Sequence, residues 1–312
     1  LIEFSEESGS PDLPFYMDHC SAVIGVPDLV VCLDSGAGNY EQFWTTTSLR
    51  GLIGCTVRVG VLPEGVHSGS ASGLVPSSFR VLRQLLSKLE DEKTGSILLD
   101  ELTVEIPEHR AGEAEALIAA LGGETEKFPW HGSMDPTTED PVEGTLSRTW
   151  KPALSVVGMD GVPAVKDGGN VLRPYTVLRL SMRIPPTLDK EIAVDAMRKA
   201  LTVDPPYNAS VEVKFDEPAT GWNAPALDSW LDAAIQEASQ AYFNKPALSI
   251  GEGGTIPFMA MLGEKFPQAQ FVITGILGPQ SNAHGPNEFV HIPYAKKLTA
   301  CVASILHQFP NK

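Results

Sequence analysis

The pattern of apolar and polar positions divides this chain into outer segments with buried strands and a middle region with half-exposed strands. Residues 28–33 form an almost continuous apolar run, which is typical of a strand buried on both faces, and the run ends at Asp34. Residues 226–238 place apolar side chains on one helical face. A second buried strand is predicted over residues 271–274 and a terminal helix over residues 294–309. These outer segments predict an α/β domain.

The middle region has the pattern of an α+β unit. Residues 53–59 and 175–184 alternate in polarity, as half-exposed strands do, and residues 211–215 would complete a small sheet. Ser77 is a candidate cap for a helix whose buried face would carry Phe79, Leu82, Leu85, Leu86 and Leu89. The other helices predicted for this region span residues 111–121 and 189–201.

We therefore predict an α/β fold in which one domain is interrupted by another. Residues 1–47 and 218–312 would form the outer α/β domain, and residues 48–217 the inserted α+β domain. The length of 312 residues agrees with two domains.

Charge and cysteine content limit the classes of partner. The formal net charge of −16 and the pI of about 4.8 argue against nucleic acid or an anionic membrane as a partner. No apolar run approaches the roughly 18 residues that a membrane-spanning helix needs. The four cysteines are scattered without a CxxC spacing, which favours reduced thiols in a cytoplasmic protein.

A pair of carboxylates, Glu6-Glu7, precedes the loop-forming residues 8–11. Neighbouring side chains of a regular strand point to opposite faces, but in a loop both can turn toward one centre. The residue types suit Glu7 as a metal ligand and Glu6 as the general base for a metal-activated water. A solvated surface pair is the alternative.

Asp34 and His284 each follow a predicted buried strand. Open α/β sheets place their sites at the carboxyl ends of such strands, which favours Asp34 as a metal ligand, and a turn or helix cap is the alternative. His284 lies in a loop rich in Gly and Asn, where it could bind a metal or act as an acid–base group. An exposed loop histidine is the alternative.

A glycine-rich loop contains Gly253, Gly254 and Thr255. Backbone N–H groups of such a loop can bind an anion, although no Lys follows the glycines as in a Walker loop, and a tight turn is the alternative. Arg183 ends an alternating strand, where it could bind a carboxylate or form a surface salt bridge. His67 lies in the predicted insert, far along the chain from the other candidates.

The order of these motifs resembles that of carnosinase-like dinuclear metallopeptidases, which are relatives of aminoacylase, carboxypeptidase G and bacterial dipeptidases. The resemblance covers nearly the whole chain, and the ordered set is more specific than any one motif. It is carried by residues 5–10, 32–35, 65–69, 170–183, 251–255 and 283–288.

The resemblance implies a hydrolase of dipeptides or short peptides in which a metal-bound hydroxide attacks the amide carbonyl. Glu6 would be the general base, Glu7 and His284 would bind one divalent metal ion, and Asp34 would bind a second. Zinc is the expected metal, with manganese as the alternative. Residues 1–47 and 218–312 would be the metallopeptidase catalytic domain.

The insert would then be a lid and dimerisation domain. In a homodimer, His67 would reach the partner subunit's site and polarise the scissile carbonyl. Arg183 and the loop of Gly253, Gly254 and Thr255 resemble the pocket for a substrate's terminal carboxylate. Asn170 is a further candidate for the same pocket.

The chain departs from the family pattern at two places. Carnosinases carry an Arg where this chain has Gly251, so their substrate preference is not carried over. The family's His-x-Asp motif and bridging Asp would precede Glu6-Glu7, but the chain opens on Leu1. We therefore expect the N-terminal part of the catalytic domain to be missing, with a separate N-terminal segment as a candidate partner. The alternatives to a peptidase are an N-acyl amino-acid deacylase and an inactive dimeric or binding fragment.

Overall fold

The computed structural model describes residues 2–123, 125 and 128–310. The chain divides into two compact units. The first unit is formed by Leu1–Leu49, Ile106–Thr149 and Trp222–Lys312. The second unit is formed by Arg50–Glu105 and Trp150–Gly221.

Both units contain strands and helices. The strands are β1 (Leu29–Cys32), β2 (Trp44–Leu49), β3 (Gly51–Gly60), β4 (Val66–His67), β5 (Ala153–Asp160), β6 (Val171–Leu172), β7 (Tyr175–Ile184), β8 (Ser210–Phe215), β9 (Trp222–Asn223), β10 (Leu248–Glu252) and β11 (Gln270–Ile273). The helices are α1 (Leu13–His19), α2 (Ser21–Ile24), α3 (Ser68–Ala71), α4 (Ser78–Leu86), α5 (Glu108–Leu121), α6 (Pro141–Thr149), α7 (Lys190–Thr202), α8 (Ser229–Phe243), α9 (Pro257–Lys265) and α10 (Ile292–His307). Among the described residues, none of these helices has both the length and the apolar character needed to cross a membrane.

Parallel strand pairs form the sheet structure of the first unit. Strand β1 pairs with β11 and β2 pairs with β10, both in parallel, and β9 pairs antiparallel with β2. The hydroxyl of Thr274, just after β11, donates a hydrogen bond to the carbonyl of Trp44 in β2 at 2.8 Å. This bond ties the two parallel pairs together. Parallel strands joined through helices are typical of an α/β domain.

Helices α8 and α10 bury their apolar faces in the first unit. The side chains of Leu231, Ile235, Leu298 and Ile305 are at most 4% exposed and pack in one cluster with Phe43. Burying a Leu or Ile side chain contributes about 1.5–3 kcal/mol. The helical pattern over residues 226–238 is therefore confirmed.

The second unit is built on a four-stranded antiparallel sheet in the order β5-β7-β3-β8. Along β3 and β7 every second residue is buried, and these residues share a core with α4 and α7. The side chain of Asp189 caps α7 by accepting a hydrogen bond from the N–H of Glu191 at 2.7 Å. The strands predicted over residues 53–59, 175–184 and 211–215 are confirmed as β3, β7 and β8.

The beginning of α4 differs from the prediction. Ser77 occupies the N-cap position, but its side chain makes no capping hydrogen bond. Phe79 is 45% exposed, whereas Ser78 is buried. The hydroxyls of Ser78 and Thr176 are 2.8 Å apart, so a polar contact takes the inward position of the first turn. The assignment of Phe79 to the buried face is wrong for this reason.

Residues 106–149 pack with the first unit. In α5, the side chain of Leu117 is 1% exposed and clusters with Trp44 of β2 and Ile250 of β10. The predicted insert of residues 48–217 includes this segment, so the two compact units divide the chain differently. The apolar pattern of α5 shows which face is buried but carries no information about the strand it meets.

Candidate active site

The end of β1 places Asp34 at the carboxyl edge of a parallel strand pair, as the sequence predicts. The N–H of Thr274 donates to the carbonyl of Cys32 at 2.9 Å, which extends the pairing of β1 with β11. A Cβ at Gly275 would collide with the backbone of Ser35, so only glycine fits this close approach. Asp34 therefore leaves the sheet from a tightly held position.

Glu6 and Glu7 lie in a short 3-10 turn, Glu6–Ser8. The N–H of Gly9 donates to the carbonyl of Glu6 at 2.7 Å and closes the turn. Because the two glutamates are not in a strand, their side chains are not forced to opposite faces. The loop that the sequence predicts around this pair is confirmed.

The carboxyl groups of Glu6 and Asp34 lie close enough for each to influence the pKa of the other. Burial raises the pKa of Glu6, and the negative charges of Asp34 and Glu7 raise it further. Burial also raises the pKa of Asp34, and the charge of Glu7 acts in the same direction. A carboxyl group with a raised pKa exchanges its proton closer to neutral pH, which suits an acid–base role for Glu6.

His284 lies in the loop between β11 and α10, beside Glu7. Its Nε2 is 3.7 Å from Oε2 of Glu7, and the two side chains are 73% and 75% exposed. Such an exposed pair contributes little to stability. The backbone of His284 has a φ of +59°, and its N–H donates to Oε2 of Glu288 at 3.2 Å. The loop thus brings the imidazole to the carboxylates, as the predicted pairing of Glu7 with His284 requires.

The donor groups at this edge suit a divalent metal ion. Glu6, Glu7 and Asp34 offer carboxylate oxygens and His284 an imidazole nitrogen. Oε2 of Glu3 is buried and has no hydrogen-bond partner among the residues that the structure describes. The negative charge that raises the pKa of Glu6 is charge that a cation would neutralise. However, within residues 2–123, 125 and 128–310 no three His, Cys, Asp or Glu side chains are grouped as metal ligands. The residues fit a metal ion in chemistry without being arranged around one.

Cys32 contributes no thiolate to this edge. Its side chain is 8% exposed, and burial raises the pKa of the thiol to about 11. The thiol is therefore neutral at physiological pH, where only a thiolate is a strong nucleophile or metal ligand.

The loop of Gly253, Gly254 and Thr255 connects β10 to α9. Glu252, the last residue of β10, lies against the turn that follows Asp34, since a Cβ at Gly36 would be 3.7 Å from Oε1 of Glu252. The loop therefore starts beside the Asp34 turn. Its role as a carboxylate-binding loop stays a prediction.

The second unit carries the remaining candidates. His67 is exposed on β4 and pairs with Val171 of β6. The N–H of Ser68 donates to the carbonyl of Asn170 at 2.9 Å, so the structure brings His67 and Asn170 together. Arg183 lies on β7, where burial lowers its pKa, although a guanidinium keeps its charge in proteins. The roles assigned to these three residues stay predictions.

Two carboxylates of this edge have no role in the sequence-based assignment, Glu3 and Glu252. The charge of Glu3 adds to the raised pKa values of Glu6 and Asp34, behind burial and nearer carboxylates. Glu252 forms an ion pair with Arg148 at 3.5 Å. Glu3 lies three positions before Glu6 in the sequence, and this proximity indicates that its carboxylate could lie near the same site. The ion pair of Arg148 with Glu252 joins distant parts of the chain, so no local sequence pattern predicts it.

The first unit thus brings Asp34, at a strand end, together with the loop residues Glu6, Glu7 and His284, and its sequence is interrupted by the segments of the antiparallel second unit. The chain belongs to Peptidase family M20/M25/M40, whose sequence profile matches residues 7–308. The predicted family is therefore confirmed.

Dipeptidases are among the relatives of this chain. It is 26% identical over 309 residues to the cysteinylglycine-S-conjugate dipeptidase of Corynebacterium striatum, which covers 95% of this chain and 61% of that protein. It is 26% identical over 241 residues to the Cys-Gly metallodipeptidase DUG1 of Saccharomyces cerevisiae, which covers 70% of this chain and 47% of that protein. The chain thus spans less than two thirds of the length of these relatives.

Solved structures share the fold. The dipeptidase Dug1p from Saccharomyces cerevisiae matches with a TM-score of 0.74 and 21% identity over 97% of this chain and 64% of that chain. Human carnosine dipeptidase 1 matches with a TM-score of 0.73 and 19% identity over 97% of this chain and 65% of that chain. The predicted α/β fold is confirmed by these matches.

Proposed function

We propose that this chain carries the site of a metal-dependent hydrolase of dipeptides or short peptides. Membership of a peptidase family and dipeptidases among its relatives support the proposal. The observation that carries it is the cluster of Glu6, Glu7, Asp34 and His284 at the edge of the first unit. Hydrolysis of an amide needs a group that moves a proton from water to the leaving nitrogen, and Glu6 has the environment for this task.

Glu6 acts as the general base and then as the general acid. Ionised Glu6 accepts a proton from the attacking water on a side-chain oxygen. It then delivers that proton to the leaving amine nitrogen and returns to the ionised state.

Glu7 and His284 would hold one divalent ion and Asp34 a second, with zinc proposed and manganese as the alternative. The ions would polarise the scissile carbonyl and increase the acidity of the attacking water. The 3.7 Å between Nε2 of His284 and Oε2 of Glu7 puts these two donors within reach of one ion.

Three residues of the second unit complete the proposal. Arg183 binds a carboxylate of the substrate with its permanent positive charge. Asn170 assists in the same recognition. Within the first unit, the backbone N–H groups of residues 253–255 are proposed as a carboxylate-binding loop in their own right. His67 stabilises the developing oxyanion in the partner subunit's site, which makes the active form a homodimer.

We further propose a cytoplasmic protein whose partners are peptides and a second copy of the chain. All four cysteines are free thiols, which agrees with a reducing compartment. The net charge of −16 agrees with a partner other than nucleic acid.

A hydrolysis assay with matched substrates tests the proposal. Purified chain supplied with zinc or manganese is incubated with the Cys-Gly dipeptide and, separately, with N-acetylglycine. We expect release of free glycine from the dipeptide and a loss of about 10²–10⁴-fold in Glu6→Gln, the range typical of a general base. Glu264→Gln, an exposed position on α9, is the matched control.

Three other results of this hydrolysis assay would each contradict a different part of the proposal. Faster cleavage of N-acetylglycine would make the protein a deacylase. Unchanged activity in Glu6→Gln would remove Glu6 from the mechanism. An inactive wild-type chain would contradict the proposal for this chain.

A further inference from the structure

The last turn of α6 brings Arg148 to the end of β10. Nη1 of Arg148 is 3.5 Å from Oε2 of Glu252, and the side chains are 25% and 29% exposed. A pair that is mostly withdrawn from solvent is screened less than a pair on the open surface. Arg148 thus brings a permanent positive charge to the residue that immediately precedes the 253–255 loop.

The next residue, Thr149, fits against a strand position that has no side chain. A Cβ at Gly251 would lie 2.7 Å from Oγ of Ser48 and 3.0 Å from Cβ of Thr149. Thr149 is 2% exposed, and its hydroxyl donates to the carbonyl of Thr145 at 2.8 Å. The bare backbone at Gly251 is therefore what allows α6 to approach β10 closely enough for the ion pair.

Helix α5, against which α6 packs, is held to β2 and to the residue after β9 by partly buried polar contacts. Glu113 accepts hydrogen bonds from the hydroxyl of Thr47 at 2.7 Å and from Nη1 of Arg110 at 2.6 Å. Arg110 is 5% exposed and also donates to the carbonyl of Ala224 at 2.9 Å. Paired and hydrogen-bonded buried charges resist displacement, because losing one partner leaves the other uncompensated. Arg148 therefore projects from a firmly placed pair of helices.

We propose that Arg148 is a positioning residue of the hydrolase site. It acts through Glu252, which lies against Gly36 in the turn after Asp34 and is followed directly by Gly253 and Gly254. Two consecutive glycines leave the following backbone conformationally free. The ion pair with Arg148 holds Glu252 in place, and Glu252 is the residue from which the 253–255 loop begins. The inference rests on the proposed function, in which N–H groups of this loop bind the substrate's carboxylate.

We expect the Arg148→Ala variant to fold like wild type but to bind the substrate less tightly. Removing the guanidinium in Arg148→Ala should raise KM for Cys-Gly by about 10–100-fold, the range for groups that orient a site without touching the substrate. The effect on kcat should be smaller, because the proposed role of Arg148 is to hold the loop that binds the substrate and not to transfer a proton. Arg148→Lys keeps the positive charge and should recover most of the affinity.

A double-mutant cycle separates action through Glu252 from any other effect. Steady-state kinetics on Cys-Gly are measured for wild type, Arg148→Ala, Glu252→Gln and the double variant, each checked for folding by urea titration. The double variant should be no weaker than Glu252→Gln alone. Arg80→Ala, at an exposed position on α4, is the control and should match wild type. If Arg148→Ala does not fold, Arg148→Gln takes its place in the cycle.

The outcomes distinguish this inference from the proposed function. An active wild type with an unchanged KM in Arg148→Ala, or additive effects in the cycle, would overturn the role of Arg148 alone. An inactive wild-type chain would overturn the proposed function and the inference that rests on it.

Discussion

Replacing Glu6 with Gln should stabilise the metal-free chain at neutral pH. In the folded chain, burial and then the charges of Asp34 and Glu7 raise the pKa of Glu6 above its ordinary value of 4.5. A carboxyl whose pKa is raised by folding binds protons better in the folded state. Its stabilising contribution is therefore complete below pH 4.5 and is lost as the pH rises through the raised pKa. Gln keeps the shape of the side chain and removes the charge.

The expected gain is small because Glu6 is only partly buried. Interactions between solvent-screened charges are worth about 0.2–1 kcal/mol, so we expect a gain of about 0.5–1 kcal/mol at pH 7. Near pH 4, where Glu6 is protonated in wild type, the difference should approach zero. A gain of this size corresponds to a rise in Tm of about 1–3 °C.

Thermal and urea unfolding at several pH values after treatment with a chelator measure the difference. Glu264→Gln, which removes a carboxylate from an exposed position of the same unit, is the control. Raising the salt concentration should reduce the gain, since salt screens the repulsion. A Glu6→Gln variant that is less stable at pH 7, or whose gain does not change with pH, would show that folding does not raise the pKa of Glu6.

Two further substitutions test the packing behind the site. Leu117→Ala removes an α5 side chain that packs against Trp44, and the free energy of unfolding should fall by about 2–5 kcal/mol in a urea titration. A loss below about 1 kcal/mol would show that α5 does not pack on this sheet. Gly251→Ala should cost about 1–3 kcal/mol, because its Cβ would press on Ser48 and Thr149. Unchanged stability in the same titration would contradict the close approach of α6.

Strands with a regular pattern were predictable from the sequence. Residues 175–184 alternate in polarity, and β7 has the same bounds, Tyr175–Ile184, because every second side chain enters the core. The apolar run of residues 28–33 likewise yields a strand, β1, but the predicted burial on both faces is wrong, because only Cys32 of this strand is buried and Leu33 is 64% exposed. In both cases the signal for a strand is local, since it lies in the order of apolar and polar residues.

Strand β2 is not predictable from the pattern of apolar and polar residues. Every residue of Trp44–Leu49 is buried, yet the strand contains three threonines and a serine. The hydroxyl of Thr46 pairs with that of Ser35 at 2.5 Å, and the hydroxyl of Thr45 with that of Ser249 at 3.1 Å. Polar side chains can be buried when they find such partners, and these partners come from distant parts of the chain. Hydropathy along the sequence therefore does not reveal this strand.

The candidate site likewise contains residues that the sequence predicts and a pair that it does not. Glu6, Glu7, Asp34 and His284 belong to short motifs, and the structure brings them together at one edge. The Arg148–Glu252 pair depends on how α6 meets β10, which no local motif encodes.

We propose that Glu6, Glu7, Asp34 and His284 form a metal-dependent hydrolytic centre. Elemental mass spectrometry of the purified chain, dialysed after loading with zinc, measures the bound metal directly. We expect retained metal, about two ions per chain as in two-metal hydrolases, and a clear reduction in Asp34→Asn. A wild-type chain that retains no metal, or an Asp34→Asn variant that retains as much as wild type, would contradict it.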